Sequence, residues 1–251
     1  MVHKEKMYSQ RGIVSYMSKT DRNLRFPEHF SAAIFDFDGT LADTTQLWQK
    51  IDREFFESRN IPYDATLSEH ISPLGFTDGA HWVIETYHLH ESVDHIIDEW
   101  TAKGRAAYQN DVVLRPGAEK YLRYLRSKGI ATALATVNDA NVFRAMEARI
   151  PFHELFDVIA FGSEVGCGKD RPDLYTYVLS QLKTSARTTI VFEDIPVALK
   201  TAKSLSLITC AVKSDDQTQN MDLLAPYADY SISSWNDPRL VGPTGENNGL
   251  R

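Results

Sequence analysis

Short apolar runs rich in β-branched residues alternate along this chain with segments whose apolar positions recur at helical spacing. The runs predict strands at Ala32–Phe37, Ile130–Thr136, Asp157–Phe161, Thr189–Glu193, Leu207–Val212 and Asp229–Ser233. Helical spacing marks Gly117–Lys128, Asp139–Arg149, Pro172–Lys183 and Pro196–Ser204, and Pro172 and Pro196 suit first-turn positions. Strands alternating with helices in this way predict an α/β fold, a doubly wound parallel sheet with a Rossmann-like core.

One connection departs from the alternation. Roughly seventy residues separate Thr40 from Arg115 without a convincing strand, too many for a loop in a compact domain. Helical patterns at Thr45–Arg59, Asp78–His88 and Ser92–Tyr108 fill it, separated by Asn60-Ile-Pro and Ser72-Pro-Leu-Gly breaks. The chain therefore divides into a core at 31–44 and 114–235 and an inserted all-helical cap at 45–113. Leaving the core just after two acids and returning at Arg115-Pro-Gly, the cap should cover those acids as a lid. Residues 1–30 are polar and irregular and are expected to form a mobile leader, with Met17 an alternative start of translation. Residues 236–251, rich in Pro, Gly and Asn, are expected to form a flexible tail.

Composition narrows the partners. At 251 residues, 43% hydrophobic and 24% charged, the chain can bury a core and has globular proportions. A net charge of −7 with no basic stripe argues against a nucleic-acid polymer as ligand. No apolar run approaches a membrane span, and the first thirty residues lack the apolar centre of a signal peptide. Cys167 and Cys210 lie in separate segments, with no disulfide framework or CxxC site, so a cytoplasmic protein is expected.

The candidate chemistry lies at predicted strand ends, where open α/β sheets bind ligands. Asp36-Phe-Asp38-Gly39-Thr closes an apolar strand with two acids. Carboxylates a few Å apart repel one another, and a bound divalent cation would offset that charge. Gly39 permits a tight turn that brings backbone N–H groups toward an anion. Thr136, followed by Val137-Asn138-Asp139 at a helix start, suits a phosphate. Lys169, on a loop before a helix, can neutralise a phosphoryl oxygen. Glu193-Asp194 supplies two further carboxylates for a metal facing Asp36. Taken singly, Thr136 reads as a helix cap, Glu193-Asp194 as caps for the helix at Pro196 and Lys169 as a solvated lysine. Their joint occurrence at strand ends, beside an acid pair with no evident stabilising role, favours a site.

These motifs closely resemble those of the haloacid dehalogenase-like hydrolases, in the subgroup with a helical cap inserted after the first motif. The likeness covers roughly residues 31–235 and rests on DxDGT at Asp36–Thr40 extended through Asp43-Thr44, the strand-end Thr136, Lys169-Asp-Arg-Pro172-Asp173, and Glu193-Asp194-Ile195. Ile195 stands where the family has serine, Ala198 where it has glycine, and Asp170 where it has proline. The resemblance implies Asp36 as nucleophile, forming an aspartyl-phosphate, and Asp38 as general acid and then base. It implies a Mg²⁺ ion held by the Asp36 carboxylate, the Asp38 carbonyl and Asp194, with Glu193 binding directly or through water. Thr136, Lys169, the backbone N–H groups after Asp36, Gly39 among them, and more weakly Asn138 would hold the phosphoryl oxygens.

The implied activity is hydrolysis of a small phosphorylated metabolite by a monomer or weak homodimer. A sugar phosphomutase of the β-phosphoglucomutase kind is the alternative, although those relatives carry a cap histidine where Trp48 stands here. A non-catalytic phosphometabolite sensor is a further reading, and it would be marked by loss of the acids or the lysine, all of which are present. The Ser72–Asp78 stretch is expected to dip toward the site as a loop. His81, His88, His90 and His95 are expected on the surface, and Trp82 and Trp100 in the cap core.

Overall fold

The computed structural model describes residues 26–27, 29–214 and 219–241. Six strands form one sheet: β1 (Ala32–Phe35), β2 (Ala131–Thr136), β3 (Val158–Phe161), β4 (Thr189–Glu193), β5 (Ile208–Val212) and β6 (Tyr230–Ile232). All pair in parallel in the order β3-β2-β1-β4-β5-β6, which places β1 between β2 and β4. Every residue of β1 and β4 is buried, as expected for strands covered on both faces. The order reverses direction at β1, so its carboxyl end opens onto the crevice between the two halves.

The helical insert comprises α1 (Thr45–Ser58), α2 (Ala65–Ile71), α3 (Gly75–Tyr87) and α4 (Val93–Asn110). It has its own apolar centre, in which Phe55, Phe56, Val83, Ile96 and Trp100 are buried. Trp82 is half-buried against that centre, and His81, His88, His90 and His95 are exposed. The two crossings between cap and core are held side by side: Ala42 bridges to Leu114, and the Arg115 N–H donates to the Leu41 carbonyl at 2.7 Å. The remaining core helices are α5 (Ala118–Ser127), α6 (Ala140–Arg144), α7 (Phe152–Leu155), α8 (Gly162–Val165), α9 (Asp173–Leu182), α10 (Pro196–Ser204) and α11 (Met221–Leu224).

Four differences from the sequence reading have local causes. Helix α2 was not anticipated, being short; it is capped by the Asp64 carboxylate, which accepts the Thr66 N–H at 2.8 Å. Ser72–Leu74 is a 3-10 turn running directly into α3, where a loop was expected. The helix expected to reach Arg149 ends at Arg144, because the next residues switch to i→i−3 bonds such as Met146 N–H to Phe143 carbonyl. The expected tail from Asn236 starts as ordered structure: Pro238–Val241 is a 3-10 helix, and Leu240 is buried.

Most of the expected leader lies outside the described residues, but Phe26 stacks on Phe192 at 6.0 Å between ring centroids. Among the described residues no helix is long and apolar enough to cross a membrane.

On one face of the sheet Phe192 stacks on Phe35 at 4.8 Å between centroids and packs against Trp235 at 5.2 Å. Trp235 in turn donates to the Thr40 carbonyl at 3.0 Å, so this aromatic stack supports the loop after β1. Phe192→Ala should destabilise the fold by about 3–5 kcal/mol through lost burial and the resulting cavity, measured by denaturant unfolding against the parent chain.

Candidate active site

Apolar β1 ends at Phe35, and Asp36 extends the ladder by one bond, its N–H donating to the Phe192 carbonyl at 3.1 Å. The chain then turns sharply, with the Phe37 carbonyl accepting the N–H groups of Leu41 and Ala42 at 2.8 and 2.9 Å. Gly39 has φ +81°, and a Cβ there would lie 2.0 Å from Asp194 Oδ2. Only glycine lets the turn approach Asp194 so closely. Its N–H, expected to face an anion, is instead taken by the Ala42 carbonyl at 2.8 Å, which corrects the phosphate-binding role assigned to Gly39.

Adjacent strand β4 brings Glu193 and Asp194 beside Asp36, and the loop after α8 brings in Lys169. Lys169 is 1% exposed; its ammonium donates to Asp36 Oδ1 and to Glu193 Oε1. The Tyr175 hydroxyl donates to the same Glu193 oxygen at 3.3 Å, and the other takes the Asp194 N–H at 3.0 Å. Asp194 Oδ1 accepts the Thr40 hydroxyl at 3.2 Å. Asp36 Oδ2 is buried with no hydrogen-bond partner.

Three buried carboxylates therefore share one ammonium. Burial pushes Asp36 up to about 8, against the pull of Lys169 and with the repulsion of Glu193 and Asp38. Asp194 is raised well above the usual carboxylate range, by burial first and then by Asp36 and Glu193. Burial opposes the charge on Lys169, but Asp36 and Glu193 outweigh it and hold its pKa above the ordinary lysine value. One oxygen from each of Asp36, Glu193 and Asp194 lies within 4.8 Å of the others. An all-oxygen set with excess negative charge and an unpartnered buried oxygen fits a hard divalent cation, which would offset the desolvation of these acids.

Asp38 lies outside that cluster, and its side chain is held from both core and cap. Thr44 Oγ1 donates to its Oδ1 at 2.5 Å and Trp48 Nε1 at 3.2 Å, and the Tyr108 hydroxyl donates to the same oxygen. Asn138 Nδ2 donates to Asp38 Oδ2 at 3.0 Å and to the Tyr108 hydroxyl at 2.8 Å, so the amide expected to grip phosphate is spent on Asp38. Thr136 is buried at the end of β2 and lines the same cavity as Asp36 and Lys169. Its hydroxyl accepts the Asn138 N–H at 3.1 Å, a cap-like contact that leaves its own proton available. Asp43 is exposed.

Tyr108, Thr44, Trp48 and Tyr175 were not singled out as Asp38 or Glu193 partners from sequence. The available signals were the i,i+4 spacing of Thr44 and Trp48, which puts them on one helix face, and the position of Tyr108 in the buried stripe Ile96-Trp100-Gly104-Tyr108. A tyrosine in such a stripe needs a partner for its hydroxyl.

The cap closes on the core through backbone. The Lys169 N–H donates to the Pro73 carbonyl at 2.9 Å, and a Cβ on Gly168 would lie 2.4 Å from the same oxygen. Between cap and core lies a cavity of about 630 Å³, lined by Asp36, Asp38, Thr136, Lys169 and Asp194 on one side and by α1, α2 and the Ser72–Leu74 turn on the other.

The family model for haloacid dehalogenase-like hydrolases matches residues 33–212. The chain belongs to that family, and the insert between its β1 and β2 is helical. It is 29% identical over 176 residues to the phosphorylated carbohydrates phosphatase of Thermotoga maritima, covering 70% of this chain and 82% of that protein. It is 26% identical over 221 residues to a probable pseudouridine-5′-phosphatase of Drosophila melanogaster, covering 83% and 94%. The β-phosphoglucomutase structure from Clostridium difficile shares the fold, with a TM-score of 0.70 at 19% identity over 82% of this chain and 92% of that one.

Within the cavity wall, Asp52 on α1 is buried and accepts the Ser68 hydroxyl at 2.5 Å. Burial pushes it up to about 6, partly countered by that hydrogen bond. The penalty on the charged form is absent below the unfolded value near 4 and complete above about 6. Asp52→Asn should therefore raise stability at pH 8 by roughly 2–3 kcal/mol, a gain that fades as pH falls from 6 to 4, seen in melting temperatures across that range.

Proposed function

We propose that this hydrolase is a Mg²⁺-dependent phosphatase acting on a small phosphorylated metabolite through an aspartyl-phosphate on Asp36. The observation carrying this reading is Asp36 itself: a buried carboxylate with one oxygen held by Lys169 and the other unpartnered, lining the cavity between cap and core. That geometry leaves an oriented nucleophile with one free oxygen.

Asp36 Oδ2 attacks phosphorus and the ester P–O bond breaks. The departing alkoxide takes a proton from Asp38. Asp38, now a carboxylate, removes a proton from water, whose oxygen attacks the acyl phosphate and returns Asp36 to its starting state. Four donors to Asp38 keep it apart from the carboxylate cluster and aimed for both transfers. Lys169 and the Thr136 hydroxyl offset charge on the phosphoryl oxygens. Asp36, Asp194 and the Asp38 carbonyl would hold Mg²⁺, with Glu193 directly or through water. The ion supplies charge neutralisation of the acids and of the phosphoryl group. The two buried, free cysteines suit a reducing cytoplasm.

The names of the relatives support phosphate ester hydrolysis, and the retained acids and lysine speak against a sensor that only binds. Against a phosphomutase stands Trp48, whose indole N–H donates to Asp38 and cannot accept a proton as histidine would.

Asp36→Asn should lower turnover of p-nitrophenyl phosphate at saturating MgCl₂ by about a thousandfold or more. Chelation should abolish parent activity and Mg²⁺ should restore it, and a hexose monophosphate should release free phosphate without isomer. Near-native turnover by Asp36→Asn would exclude the covalent route.

A further inference from the structure

The cavity has two halves of opposite character. The core half holds Lys169, the only cationic side chain among its described lining residues. The cap half presents Gln49 and Asp52 from α1 and Ser68 and Glu69 from α2, beside the aromatic rings of Trp48 and Phe76. A phosphoryl group seated against Asp36 would turn its leaving group toward that cap half.

Asp52 is 8% exposed and has no cationic partner among the described residues. Its Oδ2 takes the Ser68 hydroxyl, and because Ser68 donates there, the Tyr63 hydroxyl at 3.0 Å donates to Ser68. This chain of donors sets the orientation of the carboxylate. Among the described residues Ser68 is its one side-chain hydrogen-bond partner, so it retains acceptor capacity on the cavity side. A buried, unpaired acid weakens the fold, and the cap's own apolar centre does not require one. Groups held at such a cost mark functional positions.

We propose that Asp52, oriented by Ser68, is the specificity-determining group of the cap: it accepts hydroxyls of the leaving group and, with Glu69, rejects leaving groups that carry a second anion. This rests on the phosphatase reading above and narrows its substrates to monophosphates whose remaining part is neutral or cationic. Trp48 and Phe76 line the same half and supply apolar surface for the C–H groups of a polyol, whose hydroxyls the carboxylate takes in pairs. A carboxylate or second phosphate placed in the same half meets the buried charge of Asp52 and the exposed charge of Glu69, with no cation among the described residues of that half. At separations of 6–8 Å that repulsion amounts to roughly a tenfold to hundredfold loss.

The test compares kcat/KM for glucose 6-phosphate, glucosamine 6-phosphate and 6-phosphogluconate, each normalised to p-nitrophenyl phosphate for the same variant. The parent should favour the first two over 6-phosphogluconate by roughly tenfold or more, and Asp52→Asn should narrow the gap to within about threefold. Should Asp52→Asn fail to fold, Glu69→Gln at the exposed rim should move the same ratio in the same direction. Equal or better use of 6-phosphogluconate by the parent, or a ratio unmoved in the folded variants, would overturn the charge filter while leaving the phosphatase reading intact. Absence of turnover with every ester, p-nitrophenyl phosphate included, would remove both.

Discussion

The ammonium of Lys169, enclosed between Asp36 and Glu193, constrains everything around it. A buried cation is tolerated only when its partners are present and fully engaged, and here they come from different strands. Asp36 follows β1, Glu193 ends β4, and the lysine arrives on the loop after α8. The sheet order makes β1 and β4 neighbours, so the charge cluster can form only in the folded parallel sheet. Glu193 is held further by Tyr175, on the oxygen that Lys169 bonds, and by the Asp194 N–H on the other. With Lys169 satisfied, the surplus negative charge rests on Asp36 and Asp194, and a proton or a cation must answer it.

A second constraint joins the cap to that cluster. Three of the groups that bond the Asp38 side chain, Thr44, Trp48 and Tyr108, lie at the first crossing or in the insert, and Asn138 comes from the core. The orientation of the proton-handling acid and the seating of the cap are thus one arrangement. Arg149 adds to it from the core by donating to the Tyr108 and Val112 carbonyls at 2.6 and 2.8 Å, satisfying the end of α4. Arg115, just past the second crossing, donates to the Gly39 carbonyl at 3.1 Å and to the Lys213 carbonyl at 2.8 Å. The return of the chain therefore braces the turn it left from.

The sheet was legible because buried parallel strands are nearly continuous apolar runs, and β1, β2 and β4 give way at their carboxyl ends to polar residues that face one crevice. Asp36, Thr136, Glu193 and Asp194 were visible on those grounds, and Lys169 became visible through the joint pattern. Gly39 and Asn138 were read as anion binders because their positions permit it. The Gly39 N–H goes instead to Ala42 within its own turn, and the Asn138 amide goes to Asp38 a hundred residues away. The helical turn at Ser72–Leu74 was hidden by its proline and glycine, residues that signal a loop until packing on Lys169 and Gly168 fixes the backbone.

By itself the sequence determined the α/β alternation, the place of the insert and the acid-hydroxyl-lysine-acid order at the strand ends, because periodicity and strand-end polarity are local properties. Only the tertiary structure decided which oxygen of Asp36 stays free, that Tyr108 and Trp48 reach Asp38, and that Asp52 stands in the cavity wall without a counter-charge. Those facts depend on distances between residues far apart in the chain, which no local pattern encodes.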